Sequence, residues 1–313
     1  MPDGNQCKGI GRRYHRGEVM TASRPRVTVL VTDLDNTLWD WFRAWHASFA
    51  AMLLRLSDMT GLAPSVLEGE IRRVHQLRGT TEYSLLLTEL PSLRAMQPAG
   101  ADLMTIYDDV VHVLNSERKR RTQLYPGVMQ TLTTIREHGV PVIGYTESIA
   151  FWTEWRIRTL GLDGVLDVLY SSPDHDMPSG ITVEDIRTLP SDKYGLKSTH
   201  HLHVPRGIEK PSPEVLACIL VSRDQPAETT LYVGDSLMRD VAMAQGLGVI
   251  DVHARYGVVQ DTEEYELLRR VSYWPDSQVS EEREVVASGS VKPSYSIDSF
   301  SELLGLFDFS VRK

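Results

Sequence analysis

A short apolar run that ends in two aspartates constrains this chain more than any other stretch. Residues 27–38 read VTVLVTDLDNTL, so valine and leucine lead directly into Asp33 and Asp35. An apolar run with no polar face predicts a strand at the centre of a parallel sheet, where helices cover both faces. Ligands bind at the carboxyl ends of such strands, so the sequence predicts a functional site at Asp33.

The spacing of the two aspartates indicates a particular chemistry. Side chains two residues apart share one face of an extended strand, so the carboxylates of Asp33 and Asp35 are expected to lie close together. Two nearby negative charges need a cation, or one carboxyl group must stay protonated. The pair therefore predicts a divalent metal site, an acid/base role, or both. The alternative is a solvated turn, where Asp, Asn and Thr are common.

Composition excludes several classes of protein. The 313 residues carry 33 basic and 42 acidic side chains, a formal charge of −9, so nucleic acid is not an expected partner. No apolar run is long enough to span a bilayer, so no membrane segment is expected. The two cysteines, Cys7 and Cys218, provide neither a disulfide framework nor a thiolate metal site, which fits a cytoplasmic location. Residues 1–26 are rich in basic groups and predict a disordered extension rather than a targeting segment.

The pattern changes along the chain from strand to helix and then to alternating α/β. Residues 39–124 are helical in pattern throughout, which predicts an inserted helical module. The predicted fold is an α/β, doubly wound parallel sheet formed by residues 27–38 and 125–313. Within it, the polar stretch 171–209 is expected to form an irregular insertion. Its histidines and aspartates are metal-ligand types, but their spacing matches no known zinc site.

Two further strands are expected to end in polar residues at the same edge of the sheet as Asp33. One ends at Thr146, and another at Asp235, with Asp240 five residues later. A loop lysine, Lys210, completes the set. Carboxylates in this number suit a hard cation such as Mg²⁺, while lysine and threonine suit the oxygens of a phosphate. The set therefore predicts a Mg²⁺ site that handles a phosphoryl substrate.

Four motifs, in order along the chain, resemble those of the haloacid dehalogenase superfamily, in its phosphatase type with a helical cap inserted after the first motif. They are Asp33-Leu34-Asp35-Asn36-Thr37, Thr146, Lys210-Pro211-Ser212-Pro213 and Gly234-Asp235-Ser236-Leu237-Met238-Arg239-Asp240. The resemblance extends from residue 27 to about residue 256. It implies a Rossmann-like core and identifies residues 39–124 as the cap.

The resemblance implies a role for each of these positions. Asp33 would be the nucleophile that forms an aspartyl-phosphate, and Asp35 would be the acid/base. Thr146 and Lys210 would stabilise charge on the transferring phosphoryl group. The residues implied to hold Mg²⁺ are Asp33, Asp35, Asp235 and Asp240.

Three residues are candidates for binding the substrate: Thr37, Glu147 and Arg78. Arg78 begins the cap sequence RGTTE, which resembles the basic-Gly-x-x-Arg loop of sugar phosphomutase relatives. In this chain, however, Glu82 stands where those mutases have arginine, and its charge would repel a second phosphate.

The function expected from the sequence is a Mg²⁺-dependent phosphomonoester hydrolase that acts on a small phosphorylated metabolite. Dehalogenase relatives lack the second aspartate, so Asp35 favours phosphoryl transfer. Phosphonate-cleaving relatives use a cap lysine, and no lysine lies between Leu38 and Arg118. The alternatives are a sugar phosphomutase or other phosphotransferase on the same scaffold, and a catalytically silent regulatory binding protein. The sequence leaves the substrate and the oligomeric state open.

Overall fold

Short strands, most of them apolar, form a seven-stranded parallel sheet. The structure is a computed structural model and describes residues 23–222, 224–260 and 262–311. The strands are β1 (Arg26–Val27), β2 (Val29–Thr32), β3 (Val142–Ile149), β4 (Val168–Ser172), β5 (His200–His203), β6 (Thr230–Gly234), β7 (Ile250–Ala254), β8 (Tyr295–Ile297) and β9 (Asp308–Phe309). The main sheet has the order β5-β4-β3-β2-β6-β7-β8, and β1 pairs with β9 in a separate two-stranded sheet. The predicted parallel α/β fold is confirmed.

Helices flank the sheet and form the inserted module. They are α1 (Trp41–Thr60), α2 (Pro64–Arg78), α3 (Leu86–Glu89), α4 (Pro91–Met96), α5 (Leu103–Ile106), α6 (Asp108–Arg121), α7 (Val128–Glu137), α8 (Ala150–Thr159), α9 (Val183–Ile186), α10 (Pro213–Ser222), α11 (Ala242–Gly246), α12 (Tyr265–Val271), α13 (Asp276–Ser288) and α14 (Leu303–Leu306). A π-helical turn, Leu237–Val241, precedes α11. Among the described residues, no helix has the length and apolarity needed to span a bilayer.

Strand β2 is buried on both faces, as its sequence predicts. Leu30 packs into one apolar cluster, whereas its neighbours Val29 and Val31 pack into a second cluster. Successive side chains of a strand point to opposite faces, so the two clusters lie on opposite sides of the sheet. This arrangement explains why the strand shows no polar face.

The order of the strands fixes where the site lies. From β2 the chain continues outward through β3, β4 and β5 on one side, and through β6, β7 and β8 on the other. Strand β2 therefore lies at the topological switch point, where the crevice at the carboxyl ends of the strands opens. The residues that follow β2, β3 and β6 meet at this crevice.

The region expected to form the cap consists of helices α1 to α6. Asp40 caps the N-terminus of α1 by accepting a hydrogen bond from the backbone N–H of Arg43, and Gly61 ends the helix in the left-handed conformation (φ 71°). The aromatic side chains of α1 are buried, and the rings of Trp45 and Phe49 stack at 4.9 Å. Most of this aromatic cluster therefore packs the interior of the helical module.

Two expectations about the secondary structure need correction, and one strand was not expected. The prediction that residues 171–209 are irregular is wrong at the end of that stretch, where β5 pairs in parallel with β4. Its run of histidines has no apolar alternation, so pairing across the sheet, and not local pattern, makes it a strand. The expected disordered extension 1–26 is too long by at least one residue, because Arg26 pairs with Asp308 in β1. Residues 1–22 lie outside the described residues. The short strand β8, within the C-terminal region, was not predicted.

Buried His75 in α2 makes the stability of the fold depend on pH. Its Nδ1–H donates to the carbonyl oxygen of Val271 at 2.6 Å, and burial lowers the pKa of His75 to about 4. Between pH 6.5 and 4 the unfolded chain therefore binds a proton that the folded chain does not. The contribution of neutral His75 to the stability is fully present above pH 6.5 and is lost as the pH decreases toward 4. From pH 7.5 to 5.0 we expect this group to lower the free energy of unfolding by about 2 kcal/mol.

Urea denaturation of the wild type and of His75→Asn at both pH values checks this expectation. Asparagine can still donate to Val271 but does not take up a proton in this range, so the variant should lose about 2 kcal/mol less than the wild type. The matching substitution of the exposed His112 should leave the wild-type pH dependence unchanged. Equal losses in the wild type and the His75 variant would contradict the assignment.

Candidate active site

The Asp33 carboxylate lies directly at the end of β2 and is held from both sides. Its backbone N–H donates to the carbonyl oxygen of Val233 in β6 at 2.8 Å, which fixes its position at the edge of the sheet. Its Oδ1 accepts a hydrogen bond from Lys210 Nζ at 2.5 Å, and its Oδ2 accepts one from Thr37 Oγ1 at 3.1 Å. Burial raises the pKa of Asp33 to about 7, against the lowering effect of the Lys210 ammonium group.

Lys210 connects two of the acidic motifs. It lies in the loop between β5 and α10, is almost completely buried, and donates to Asp240 Oδ1 at 2.8 Å as well as to Asp33. Its ammonium group lies 5.2 Å and 5.9 Å from the ring centroids of Tyr145 and Tyr232. Burial lowers the pKa of Lys210, but the carboxylates of Asp240 and Asp33 outweigh this effect and raise it well above its ordinary value. Lys210 is therefore a fixed positive charge beside the predicted nucleophile.

Asp240 is held in place by groups from β6 and from the turn after it. Its Oδ1 accepts from the hydroxyl of Tyr232 at 3.0 Å, and its Oδ2 accepts from the backbone N–H of Ser236 at 3.1 Å. Gly234 leaves the space for this carboxylate, because a Cβ at that position would lie 2.3 Å from the Asp240 carboxyl group. The glycine of the motif is thus explained by the close packing of the Asp240 side chain against the backbone of Gly234.

Gly234→Ala is therefore expected to displace the Asp240 carboxylate. Overpacking of this kind costs about 1–3 kcal/mol of stability, and we expect a higher Mg²⁺ concentration at half-maximal activity as well. Thermal unfolding and a Mg²⁺ titration of hydrolysis measure the two effects. Gly246→Ala, at the end of α11, is the matched control, since a Cβ there would have no described atom within 4 Å apart from its chain neighbours and the backbone of its own helix. An unchanged Mg²⁺ titration in Gly234→Ala would contradict the expectation.

Three carboxylates at this edge have the chemistry of a divalent cation site. Ligand oxygens of Asp33, Asp235 and Asp240 all lie within 4.8 Å of one another, and no other such group occurs among the described residues. Burial raises the pKa of Asp235 well above its ordinary value, and the charges of Asp33 and Asp240 raise it further. Carboxylate oxygens that repel one another in a buried site are stabilised by a hard cation, so these residues fit Mg²⁺.

Asp35 lies beside this group and is oriented by three side chains. Its Oδ1 accepts a hydrogen bond from Trp39 Nε1 at 2.5 Å, and its Oδ2 accepts one from Ser148 Oγ. Arg156 Nη1 lies 3.9 Å from Oδ1. Burial raises the pKa of Asp35, against the lowering effect of Arg156. A carboxyl group with a raised pKa suits a role in proton transfer.

The turn between Asp35 and α1 is fixed by a residue in an unusual conformation. Asn36 has a φ of 58°, a left-handed conformation in which asparagine is enriched, and its Oδ1 accepts from the backbone N–H of Phe42. Its own N–H donates to the carbonyl oxygen of Trp39. These bonds tie the motif to the first turn of the cap.

A buried ion pair connects the cap to the core behind Asp35. Glu82, in the loop between α2 and α3, accepts from Arg156 Nη2 in α8 and from Trp41 Nε1 at 3.1 Å. Its backbone carbonyl oxygen accepts from Trp152 Nε1 at 2.7 Å, and Arg118 Nε lies 3.9 Å from its carboxylate. The arginines outweigh the effect of burial and lower the pKa of Glu82. In the sequence, Glu82 stands out only as a departure from the mutase loop, and nothing in the pattern of α8 indicates Arg156.

Of the remaining candidate residues, the fold brings three to the site around Asp33 and leaves one, Arg78, away from it. Thr37 binds Asp33 directly, and Thr146 lines the cavity beside Asp33. Glu147 also lines the cavity, but its oxygens accept from the backbone N–H of Lys210 and from Arg239 Nη1. Arg78 pairs with Glu89 at 2.9 Å and does not line the cavity, although Gly79 to Glu82 do. In this conformation Arg78 therefore makes no contribution to the site.

Two histidines of the 171–209 stretch contact other elements of the fold. His175 pairs with Asp174 at 2.7 Å, and its other ring nitrogen contacts Ser84 of the cap. His201 Nδ1 lies 3.0 Å from Glu154 Oε1. These contacts hold the stretch against the cap and α8.

A cluster of aspartates and a lysine lies at the switch point of a parallel sheet, next to an inserted helical module. This combination defines a class of α/β enzymes. The sequence profile of the haloacid dehalogenase-like hydrolases matches residues 27–248, and the chain belongs to this family. The match contains all four motifs. No curated protein matches the chain at a significant level.

The chain is similar to solved structures at low sequence identity, and the first of them has a TM-score above 0.5. A 2-haloacid dehalogenase from Pseudomonas syringae pv. Tomato DC3000 is 19% identical, with a TM-score of 0.52, over 90% of this chain and 97% of that one. The magnesium-bound HAD-hydrolase YfnB from Bacillus subtilis is 16% identical (TM-score 0.48; 90% and 99% covered). A predicted phosphoglycolate phosphatase from Haemophilus somnus 129PT is 16% identical (TM-score 0.46; 89% and 97% covered).

Proposed function

We propose that the chain is a Mg²⁺-dependent phosphomonoester hydrolase that acts on a small phosphorylated metabolite through an aspartyl-phosphate on Asp33. The observation that carries the proposal is the contact of Lys210 with both Asp33 and Asp240, with Asp235 beside them and Asp35 two residues away. This arrangement combines a buried nucleophile, a fixed cation, a site for a divalent metal and a second carboxyl group. Hydrolysis through an aspartyl-phosphate uses all four.

In the first step, an Asp33 carboxylate oxygen attacks phosphorus, and the bond from phosphorus to the leaving oxygen breaks. Lys210 holds the carboxylate in position and balances charge on the phosphoryl oxygens. Asp35 gives its proton to the leaving oxygen, so the product departs as a neutral alcohol. Trp39 and Ser148 keep the Asp35 carboxyl group directed for this transfer.

In the second step, water attacks the aspartyl-phosphate and Asp35 takes its proton. The bond from phosphorus to Asp33 breaks, which releases inorganic phosphate and restores both carboxyl groups to their initial states. Mg²⁺, held by Asp33, Asp235, Asp240 and the backbone carbonyl of Asp35, would neutralise negative charge on the phosphoryl group. Splitting one displacement into two makes each barrier lower.

Asp35 favours a hydrolase of phosphate esters over a dehalogenase. Cleavage of a carbon–halogen bond releases a halide ion, which needs no proton, whereas an alkoxide leaving group does. In a dehalogenase, the three groups that orient Asp35 would have no use. The buried Glu82 also stands where sugar phosphomutase relatives have an arginine, so this position does not supply the cation that a second phosphate would need.

Hydrolysis of p-nitrophenyl phosphate by the purified protein, with and without Mg²⁺, tests the proposal. We expect turnover that requires Mg²⁺ and that is abolished by a chelator and restored by added metal. Absence of turnover across a broad panel of phosphate monoesters would contradict the enzymatic function and favour a regulatory binding protein. Conversion of a sugar phosphate into an isomer, without release of phosphate, would instead indicate a mutase.

A further inference from the structure

The catalytic cavity has a wall that comes from outside the matched family region. Between β7 and β8 the chain forms α12 and α13, and both lie beyond residue 248, where the family match ends. We call residues 255–294 the C-terminal wall. The cavity has a volume of about 140 Å³ and is lined by Gln260, Tyr265, Trp274 and Glu282 of this wall. A site of this size takes a small substrate, since pockets for drug-sized ligands measure roughly 300–1,000 Å³.

The C-terminal wall is attached to the cap. His75 of α2 donates to the carbonyl oxygen of Val271, and two ion pairs, Arg270–Glu68 and Arg72–Asp276, join the same elements at 2.7 Å. The wall is therefore positioned with the cap over the catalytic groups.

The wall is also attached to the metal-binding motif. The guanidinium group of Arg239 lies 5.0 Å from the ring centroid of Trp274, and Ser236 Oγ donates to Glu282 Oε1 at 3.3 Å. Both Arg239 and Ser236 belong to the fourth motif. Glu282 thus lies next to Asp235, and its charge contributes to the raised pKa of that residue.

Among the described residues, the cavity contains no free cation for a second anionic group on the substrate. Seven carboxylates line it, against two cationic side chains, Lys210 and Arg239. Lys210 is paired with Asp33 and Asp240, and Arg239 is paired with Glu147 at 2.9 Å. Arg156 and Arg118 lie behind Glu82 and do not line the cavity.

Glu282 adds a negative charge and forms no ion pair within 4.0 Å among the described residues; its charge helps to raise the pKa of Arg239, which is itself paired with Glu147. The Oε1 of Glu282 accepts only from the neutral groups of Ser236 and, at 3.5 Å, Gln260. Close beside it, Tyr265 lines the cavity, and its hydroxyl forms no hydrogen bond in the part of the chain that the structure describes. The side chains of Glu282, Gln260 and Tyr265 can all form hydrogen bonds with hydroxyl groups, and the carboxylate of Glu282 repels anions.

We propose that the C-terminal wall recognises the leaving group and selects phosphate monoesters whose leaving group is small, hydroxylated and uncharged, against those with a carboxylate or a second phosphate. Glu282 supplies the selection, because it accepts a hydrogen bond from a hydroxyl group but repels a carboxylate at the same place. This proposal rests on the phosphatase function proposed above and names the substrate class of that site.

A matched pair of substrates tests the selection. 2-Hydroxyethyl phosphate and 2-phosphoglycolate have the same length and differ in a hydroxyl against a carboxylate. We expect the wild-type kcat/KM to be at least ~10-fold higher for the alcohol, because placing like charges together is costly. Glucose 6-phosphate against glucose 1,6-bisphosphate provides a second pair with the same expectation.

Glu282→Gln should remove most of this preference by lowering the KM for 2-phosphoglycolate, since glutamine keeps the shape and loses the charge. The matched control is Glu281→Gln, an exposed neighbour in α13, which should keep the wild-type ratio. Thermal unfolding of both variants shows whether each is folded.

The outcomes separate this inference from the proposed function. A wild-type preference for 2-phosphoglycolate, or an unchanged ratio in a folded Glu282→Gln variant, would overturn the inference while phosphatase activity stands. No hydrolysis of any ester, p-nitrophenyl phosphate included, would overturn both together.

Discussion

Asp33→Asn is expected to reduce phosphatase turnover by at least ~10⁴-fold, because the amide oxygen is a far weaker nucleophile than the carboxylate and no neighbour can replace it. The substitution preserves the shape of a side chain that Lys210 and Thr37 hold from opposite sides. Steady-state assays with p-nitrophenyl phosphate at saturating Mg²⁺ measure the loss. Acid quenching with a ³²P-labelled monoester should trap label on the wild-type protein and none on the variant.

The control for this experiment is Asp58→Asn, the same chemical change at an exposed position of α1. It should retain wild-type turnover and wild-type labelling. Because the neutral amide of the Asp33→Asn variant leaves one side of the buried Lys210 without a charged partner, thermal unfolding must show that the variant is folded. Turnover above about 1% of the wild type in a folded Asp33→Asn sample would exclude Asp33 as the sole nucleophile.

Asp35→Asn is expected to reduce kcat for alkyl phosphates by about 10²–10⁴-fold, because the leaving alkoxide then receives no proton. p-Nitrophenolate leaves without a proton, so its release in the first step should be little affected. The second step still needs a base to activate water. The variant should therefore release about one equivalent of p-nitrophenol per site in a rapid burst, followed by slow turnover.

Rapid-mixing measurements of p-nitrophenol release distinguish the two steps. In Asp35→Asn the labelled aspartyl-phosphate should accumulate, whereas in Asp33→Asn it should not form. Equal losses for alkyl and nitrophenyl esters, with no burst, would show that Asp35 serves structure or metal binding and not proton transfer. Asp58→Asn again serves as the unaffected control.

The sequence was sufficient for the central part of the fold and for the residues at its edge. The apolar run before Asp33 predicted a strand buried on both faces, and Leu30, Val29 and Val31 are divided between the two sides of the sheet. In a parallel sheet the ends of neighbouring strands meet, so Asp33 and Asp235 could be placed together without knowledge of the loops.

Elements without a local signal were not predictable in the same way. Strand β5 contains three histidines in four residues and is a strand only because it pairs with β4. Strand β8 is three residues long and has too short a pattern to be recognised. Arg78 looked suited to a substrate phosphate, but its partner Glu89 lies eleven residues away, and only folding shows that the two pair.

The sequence by itself determined the central strands of the sheet, the inserted helical module and the four motifs, because each depends on short-range periodicity or on the fixed geometry of strand ends. Only the tertiary structure decided what surrounds the Asp33–Asp35 pair. Arg156 and Glu82 meet behind Asp35 from positions 74 residues apart, and the C-terminal wall reaches the cavity from the far side of β7. Such contacts follow from how distant segments pack, and packing leaves no mark in the local pattern of any one of them.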